Sequence, residues 1–379
     1  MKTEPKIAIV YDRVNTPFGG AENVLLALHE IFPDAPLHTS VYDPERASWA
    51  KVFQIKTSFL QRLPFAKKLH RIFVPLMPLA FESFDFSGFD VVISVTSAEA
   101  KGILTKPNQL HICYLLTPTR YLWSHAEEYE QHWLTGWLRK KIFAYLRWWD
   151  EAAAVRPDMY IPISRLVAQR CQMFYHRKTE AVIYPSVGII SKKLSPSTTS
   201  GNYYLIVSRL VPYKRIDLAI QVCQNLGRDL IIIGEGPDLH RLKKLAKSES
   251  TTAKIQFLQA VQPAEVVGYY QDCRAFLALA EEDFGMTALE AMSFGKPVII
   301  YSPSGSAELV KEGIGGIHFF SQTPVGLSEA MHIFESRHWD AKKIQHHVSD
   351  QTRARFQEEF KRKILDSWTQ FRKEGGHHE

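Results

Sequence analysis

Twice along this chain, short apolar runs alternate with segments of helical composition, and one polar stretch separates the two series. In the first series, Ile7 to Tyr11, Leu37 to Tyr42, Asp90 to Val95, Leu110 to Leu115, Met159 to Ile163 and Ala181 to Tyr184 read as strands. A glycine turn, Phe18-Gly19-Gly20, opens a helix over roughly Ala21 to Ile31. Ser191 to Asn202 is rich in Ser, Thr, Lys and Pro and has linker composition. The alternation then restarts. Tyr203 to Val207, Asp229 to Ile233, Lys254 to Leu258, Ala275 to Ala280, Pro297 to Tyr301 and Gly316 to Phe319 are the strands of the second series. Helices are expected over Ile216 to Leu226, Asp238 to Ala246 and Met286 to Phe294. Two such series imply two doubly wound α/β domains, residues 1–190 and 203–349, facing each other across a cleft. The charged helical segment 350–373 is expected to pack back on the first domain.

Bulk properties agree with a globular chain of two domains. It has 379 residues, 45% hydrophobic and 23% charged. No apolar run approaches the ~18 residues that would span a bilayer. The first residues lead straight into a strand, with no signal-peptide core, and the four cysteines are far apart and match no metal spacing. A cytoplasmic protein with reduced cysteines is expected. The net charge of +6 is unevenly spread. From Arg46 to Arg71 there are seven basic residues and no acidic one, interleaved with large apolar side chains such as Phe59, Phe65, Leu69 and Ile72. Trp137 to Trp149 has the same mixture. Such stretches suit an anionic membrane surface, or else a solvated helix face over an ordinary core stripe. Nucleic acid is not expected, since no binding motif accompanies the charge.

The densest chemistry lies between Ala275 and Met292. Glu282 falls where a strand ends, Gly285 closes the turn, and Glu290 lies about one turn into the following helix. Ligands of parallel sheets lie beyond the carboxyl ends of the strands. A helix N-terminus there offers the amides of residues such as Met286 and Thr287 to phosphate. The two carboxylates accept hydrogen bonds from hydroxyls. That combination describes a site for a nucleotide sugar. Arg209 and Lys214, on the loop after the first strand of the second domain, would offset the charge of a diphosphate. Gly19-Gly20 and Gly234-Glu235-Gly236 allow backbone to approach a ligand or simply make tight turns. Leu239 in place of a third glycine removes the dinucleotide-binding fingerprint. A further small-residue loop, Ser304-Gly305-Ser306, precedes Glu308, a weaker candidate whose place at a helix start has its own explanation. No Asp-x-Asp pair stands out as a metal handle, so a site without metal or cofactor is expected.

Together, Arg209-x4-Lys214, Glu282-x7-Glu290, the Gly19-Gly20 loop and the Gly305 loop resemble glycosyltransferase family 4, a retaining family of GT-B fold with two Rossmann-like domains. The resemblance spans nearly the whole chain and is strongest from Tyr203 to Phe319. Tyr114 and Thr117 to Trp123 are similar to a subgroup of bacterial O-antigen mannosyltransferases. The resemblance implies that Arg209 and Lys214 hold and stabilise the diphosphate, that Glu282 binds the transferred sugar and that Glu290 binds the ribose. Gly19, Gly20, Gly234, Gly285, Met286, Thr287 and Gly305 would complete the donor site. The implied donor is a nucleotide diphosphate sugar, GDP-mannose in this subgroup. The implied acceptor is lipid-linked or polysaccharide, met at the inner face of the cytoplasmic membrane. Attack on the front face of the sugar needs no protein nucleophile. The chain departs from the subgroup at Tyr114-Leu115-Leu116-Thr117-Pro118, where the pattern Tyr-Cys-His-Thr-Pro would put a histidine at Leu116. Leucine cannot hydrogen-bond. A 6-deoxy sugar would suit it, Thr117 or His111 would supply the polar contact instead, or activity would be reduced; Leu116, Thr117 and Arg120 are the expected sugar pocket. Gln259 stands where the family often has glycine, so the family's base contact is not carried over to it. Two other readings share the architecture: a nucleotide-sugar 2-epimerase and a non-catalytic nucleotide-sugar binder.

Overall fold

The computed structural model describes residues 4–124, 137–187, 201–247 and 252–375. The chain forms two compact units. The first contains residues up to Ser186 together with those from Arg353 onward, and the second runs from Val187 to Thr352. Most of the expected linker, Ser191 to Asn202, lies outside the described residues.

In the first unit, six strands form one parallel sheet: β1 (Ile7–Tyr11), β2 (Leu37–Thr39), β3 (Ile55–Thr57), β4 (Val91–Thr96), β5 (Leu110–Leu115) and β6 (Met159–Pro162). Their order is β3-β2-β1-β4-β5-β6. Every residue of β1, β4 and β5 is buried, which is why these runs carry no polar alternation. β3 escapes a reading of the sequence because it is three residues long, at a sheet edge and only partly buried. Ala181 to Tyr184, expected as a strand, is not one. Glu180 and Ile183 donate to the Tyr160 and Pro162 carbonyls along β6, but no ladder develops. The helix Arg353–Lys373 belongs to this unit. Phe356 and Phe360 are fully buried on it, with ring centroids 6.0 and 5.1 Å from Tyr114. Arg353 grips both carboxylate oxygens of Glu30, at 2.8 and 2.9 Å.

The second unit repeats the plan with β7 (Tyr203–Val207), β8 (Asp229–Ile233), β9 (Ile255–Leu258), β10 (Ala275–Ala278), β11 (Val298–Tyr301) and β12 (Gly316–Phe319). Its order, β12-β11-β10-β7-β8-β9, is the same topology read from the other edge. The helices Ile216–Leu226 and Pro324–Glu335 bury Leu218, Val222, Leu327 and Met331 on one face of the sheet. Glu335 ends the second of these and accepts from both Arg228 (2.7 Å twice) and Tyr204 (2.8 Å). The Arg228 bonds hold its carboxyl down at about 2.

Candidate active site

In an open parallel sheet, the strand order reverses direction once, and the loops leaving the carboxyl ends on either side of that point diverge to leave a crevice. In the second unit the reversal lies between β7 and β10. Lys214 comes from the loop after β7 and Glu282 from the loop after β10. Their Nζ and Oε1 atoms are 2.5 Å apart, with 14% and 22% of the side chains exposed. They line one recess with Ser208 and Thr287, floored by Ile206, Val207 and Phe276 to Ala280. A partly desolvated cation and a carboxylate therefore meet beside the start of the helix Met286–Ser293. Arg209, in the same loop as Lys214, is exposed.

The glycines explain how the loops fit. Gly285 has φ +79° and starts that helix from the left-handed region. A Cβ there would lie 2.8 Å from Ser306 Oγ and 3.0 Å from Glu282 Oε2. Gly305 donates its N–H to the Glu282 carbonyl at 2.7 Å, and a Cβ on it would come within 1.9 Å of the Asp283 carbonyl. The loops after β10 and β11 are thus interlocked around Glu282. Gly234 has φ +146°, and its Cβ would sit 1.9 Å from the Ser208 carbonyl oxygen. Gly236 would meet Leu210 O at 2.1 Å. Leu210 donates to Glu235 O (2.8 Å), and Asp238 donates to Leu210 O (3.1 Å). Gly234 and Gly236 therefore let the loop after β8 lie flat against the segment that carries Arg209.

Met286 and Thr287 are half-buried in the first turn of the helix, and Glu290 is buried in its second. Tyr270, from the helix Pro263–Asp272, donates its phenol O–H to Glu290 Oε2 at 2.9 Å. Glu308 is not in this recess. It lines a separate one with Leu309, Lys311, His347, Val348 and Gln351.

In the first unit the reversal lies between β1 and β4. Asp12, just past β1, occupies it. Its carboxylate accepts from Thr96 Oγ1 (2.7 Å) and from the amides of Ser97 and Ala100 (2.8 Å each). Glu99 is buried beside it and accepts from Tyr121 OH at 2.5 Å. Burial, reinforced by the Asp12 charge, pushes Glu99 up to about 7. Gly19 and Gly20 open the helix Gly20–Ile31, whose Glu22 is buried and accepts from Tyr11 OH (3.3 Å) and Thr16 Oγ1 (3.2 Å). Burial raises the Glu22 carboxyl.

Leu116, Thr117 and Arg120 follow β5 on the same side of the sheet. Leu116 and Thr117 are buried and Arg120 is partly exposed. Thr117 Oγ1 has no hydrogen-bond partner among the described residues. His111 does not join them. It is the second residue of β5, so it lies ~13 Å back along the strand from Leu115. There it bonds Ser94 Oγ at 2.9 Å, and burial pushes it down to about 3. The loop 117–123 is anchored from below. Asp150, fully buried on the helix Trp137–Ala153, pairs with Lys101 and accepts from Thr119 Oγ1 and Trp123 Nε1, each at 2.8 Å. Lys101 also bonds Ala98 O and Thr119 Oγ1.

The sequence reading did not single out Asp12, Glu99, Lys101, Asp150 or Tyr270. For Asp12 and Glu99 a signal was available, because both follow a strand's carboxyl end. The other three acquire a role only through partners distant in sequence. Among the described residues, no three His, Cys, Asp or Glu side chains gather as a metal-ligand group.

The fold, with its paired six-stranded sheets and the recess at the second unit's reversal point, is the GT-B fold of glycosyltransferases. Residues 190–355 match the family "Glycosyl transferases group 1". A solved lipopolysaccharide outer core galactosyltransferase superposes with a TM-score of 0.65 at 18% identity, covering 96% of this chain and 99% of that one. An Anabaena protein, HepE, solved with UDP-glucose, gives 0.65 and 18%, covering 96% and 100%. Among curated proteins, the alpha-monoglucosyldiacylglycerol synthase of Acholeplasma laidlawii is 36% identical over 135 residues, 34% of either chain. The chain spans about half the length, or less, of the curated relatives it matches.

Proposed function

We propose that this protein transfers a hexosyl group from a nucleoside diphosphate sugar to a lipid-linked or glycan acceptor, with retention at the anomeric carbon. The observation that carries the reading is the convergence of Lys214, Glu282 and Thr287 on one recess at the reversal point of the second sheet. Arg209 and Lys214 stabilise the diphosphate as the bond from the anomeric carbon to the phosphate oxygen breaks and that oxygen keeps the electron pair. The amides of Met286 and Thr287 point the same helix end at the phosphates. Glu282 accepts from sugar hydroxyls and Glu290 from the ribose. The acceptor hydroxyl attacks from the face the leaving group departs, and its proton passes to the departing phosphate oxygen. No protein nucleophile enters this scheme, and the positive charge comes from side chains.

GDP-mannose follows from the motif after β5, and the apolar Leu116 favours a 6-deoxy sugar in its place. The UDP-glucose complex of HepE adds UDP-hexoses to the set. The unpartnered hydroxyl of Thr117 offers a hydrogen bond that Leu116 cannot. A membrane acceptor is supported by the surface of the first unit. Phe65, Leu69, Ile72 and Leu79 are exposed there among Lys67 and Lys68, as are Trp137 and Trp148 on the helix Trp137–Ala153. These apolar side chains face solvent, so they are not the core stripe of an ordinary helix. No described helix is long and apolar enough to cross a membrane; the exposed apolar and basic side chains suit peripheral contact, and the proposal puts that contact at the cytoplasmic face.

A thermal-shift screen of GDP-, UDP- and dTDP-sugars tests the donor, since a ligand of the folded state raises its melting temperature. The stabilising donor is then incubated with and without membrane lipid. Release of nucleoside diphosphate that depends on the lipid is expected. Conversion to an isomeric donor without acceptor would instead identify an epimerase, and binding without turnover would identify a non-catalytic binder.

A further inference from the structure

Glu290 lies in the second turn of its helix, more than nine-tenths buried, where a carboxylate is costly unless it is held by donors. Tyr270 supplies one. It stands on a different helix, Pro263–Asp272, is fully buried, and reaches Glu290 Oε2 at 2.9 Å. The phenol has little freedom. Its ring stacks on Phe294, with centroids 5.6 Å apart and planes 12° from parallel, and lies 5.9 Å from Phe276. Phe294 directly follows the helix that carries Glu290, so the stack and the hydrogen bond brace the two helices at both ends of the tyrosine ring. Burial keeps the phenol protonated, so it always donates.

A carboxylate has about four acceptor positions on two oxygens. With Tyr270 holding one of them, the carboxylate loses rotational freedom and its acceptors point in more constant directions. A vicinal diol needs that constancy, because its two O–H groups must both find an acceptor at once. We infer that Tyr270 is a positioning residue for nucleotide recognition: it orients Glu290 so that the carboxylate distinguishes a ribose diol from a sugar lacking those hydroxyls. The inference rests on the assignment of Glu290 to the donor's ribose.

The test compares GDP and UDP with their 2′,3′-dideoxy counterparts by titration calorimetry on the intact chain. Tyr270→Phe keeps the ring and its stack and removes only the hydroxyl. A hydrogen bond to a charged group carries an effect of about ten-fold or more in affinity. The expected result is that Tyr270→Phe weakens the preferred ribonucleotide about ten-fold, leaves the dideoxy form unchanged, and so erases most of the wild-type preference. Phe294→Leu loosens the packing without touching the hydrogen bond and should move both ligands together. Equal losses for both ligands in Tyr270→Phe would overturn the inference, as would no loss at all. Should Tyr270→Phe fail to fold, Glu290→Gln carries the test: the inference requires it to lose ribose discrimination, and retained discrimination would overturn it. Wild-type protein that binds none of GDP, UDP and dTDP would overturn the donor assignment and the inference with it, whereas binding of dTDP alone, which has no ribose diol, would overturn the inference and leave the donor assignment standing. Wild-type discrimination that survives Tyr270→Phe would overturn the inference alone.

Discussion

Alanine at Gly234 is a perturbation of the loop that carries Arg209 and Lys214, delivered from the neighbouring β8 loop. The new Cβ would lie 1.9 Å from the carbonyl oxygen of Ser208, where ordinary contact begins at 3.4 Å. The backbone of Ser208 or of the β8 loop must therefore give by roughly 1.5 Å. Gly234 also has φ +146°, a region essentially reserved for glycine, and holding alanine there costs on the order of 1–3 kcal/mol. A displacement of about 1 Å in positioning elements costs roughly 100-fold in rate. The segment displaced carries Arg209 and leads to Lys214. We expect kcat/KM for the donor to fall about 100-fold or more, with the melting temperature down by about 2–12 °C for a unit of this size. The control is Gly268→Ala, on the helix Pro263–Asp272, where a Cβ meets nothing within 4 Å. That change should stabilise by about 0.5–1 kcal/mol and leave turnover alone. Circular dichroism melts and single-turnover donor consumption measure both. A folded Gly234→Ala with wild-type donor affinity and turnover would refute the reasoning.

Other expectations concern the first unit. Asp150→Asn leaves Lys101 charged and buried without its partner, which costs about 3–5 kcal/mol, or roughly 6–20 °C in melting temperature. The double change Lys101→Met with Asp150→Leu should recover part of that, and a loss under 1 kcal/mol for the single change would count against the pair. Burial holds His38 down at about 4 and His111 at about 3. Below the ordinary histidine value near 6.5, the unfolded chain takes up protons that these two refuse. Each therefore removes about 1.4 kcal/mol of stability per pH unit as pH falls from ~6.5 toward ~4. The pH dependence of melting should flatten in His38→Phe, and an unchanged slope would argue against burial of a neutral ring. Leu116→His should shift preference from a 6-deoxy donor toward mannose in a competition assay; the opposite shift would sink the apolar-wall idea. Reversing Lys67, Lys68 and Arg71 to Glu should release the protein from anionic vesicles in a sedimentation assay, and undiminished binding would remove this face as the anchor.

The turn from β10 into the helix Met286–Ser293 was legible because its parts are local. The apolar run, Gly285 and the helix formers lie within about twenty residues, each with its own backbone preference. Lys214 and Glu282 are far apart in sequence, but both follow the carboxyl ends of strands, so topology alone predicts their meeting. The supporting pairs were not legible. Tyr270 to Glu290 and Lys101 to Asp150 are relations between elements, and Tyr270, Lys101 and Asp150 are not unusual alone. Ala181 to Tyr184 misled for the converse reason. It has the composition of a strand, but only scattered backbone bonds join it to β6. Gly234 reads as letting backbone approach a ligand or make a tight turn, and the close neighbour that composition alone does not show is the Ser208 carbonyl.

The two sheets share a strand order but not a polarity at the point where that order reverses. In the second unit the residue after β7 is Ser208, and the crevice admits a lysine. In the first it is Asp12, whose oxygens already claim the amides of Ser97 and Ala100. Those are the donors a phosphate would otherwise meet. One carboxyl group at the end of β1 thus works as a permanent occupant of that crevice, held by a hydroxyl and two backbone amides. Two topologically equivalent crevices are made chemically distinct by it, and the proposed reading places the diphosphate in the one that holds Lys214.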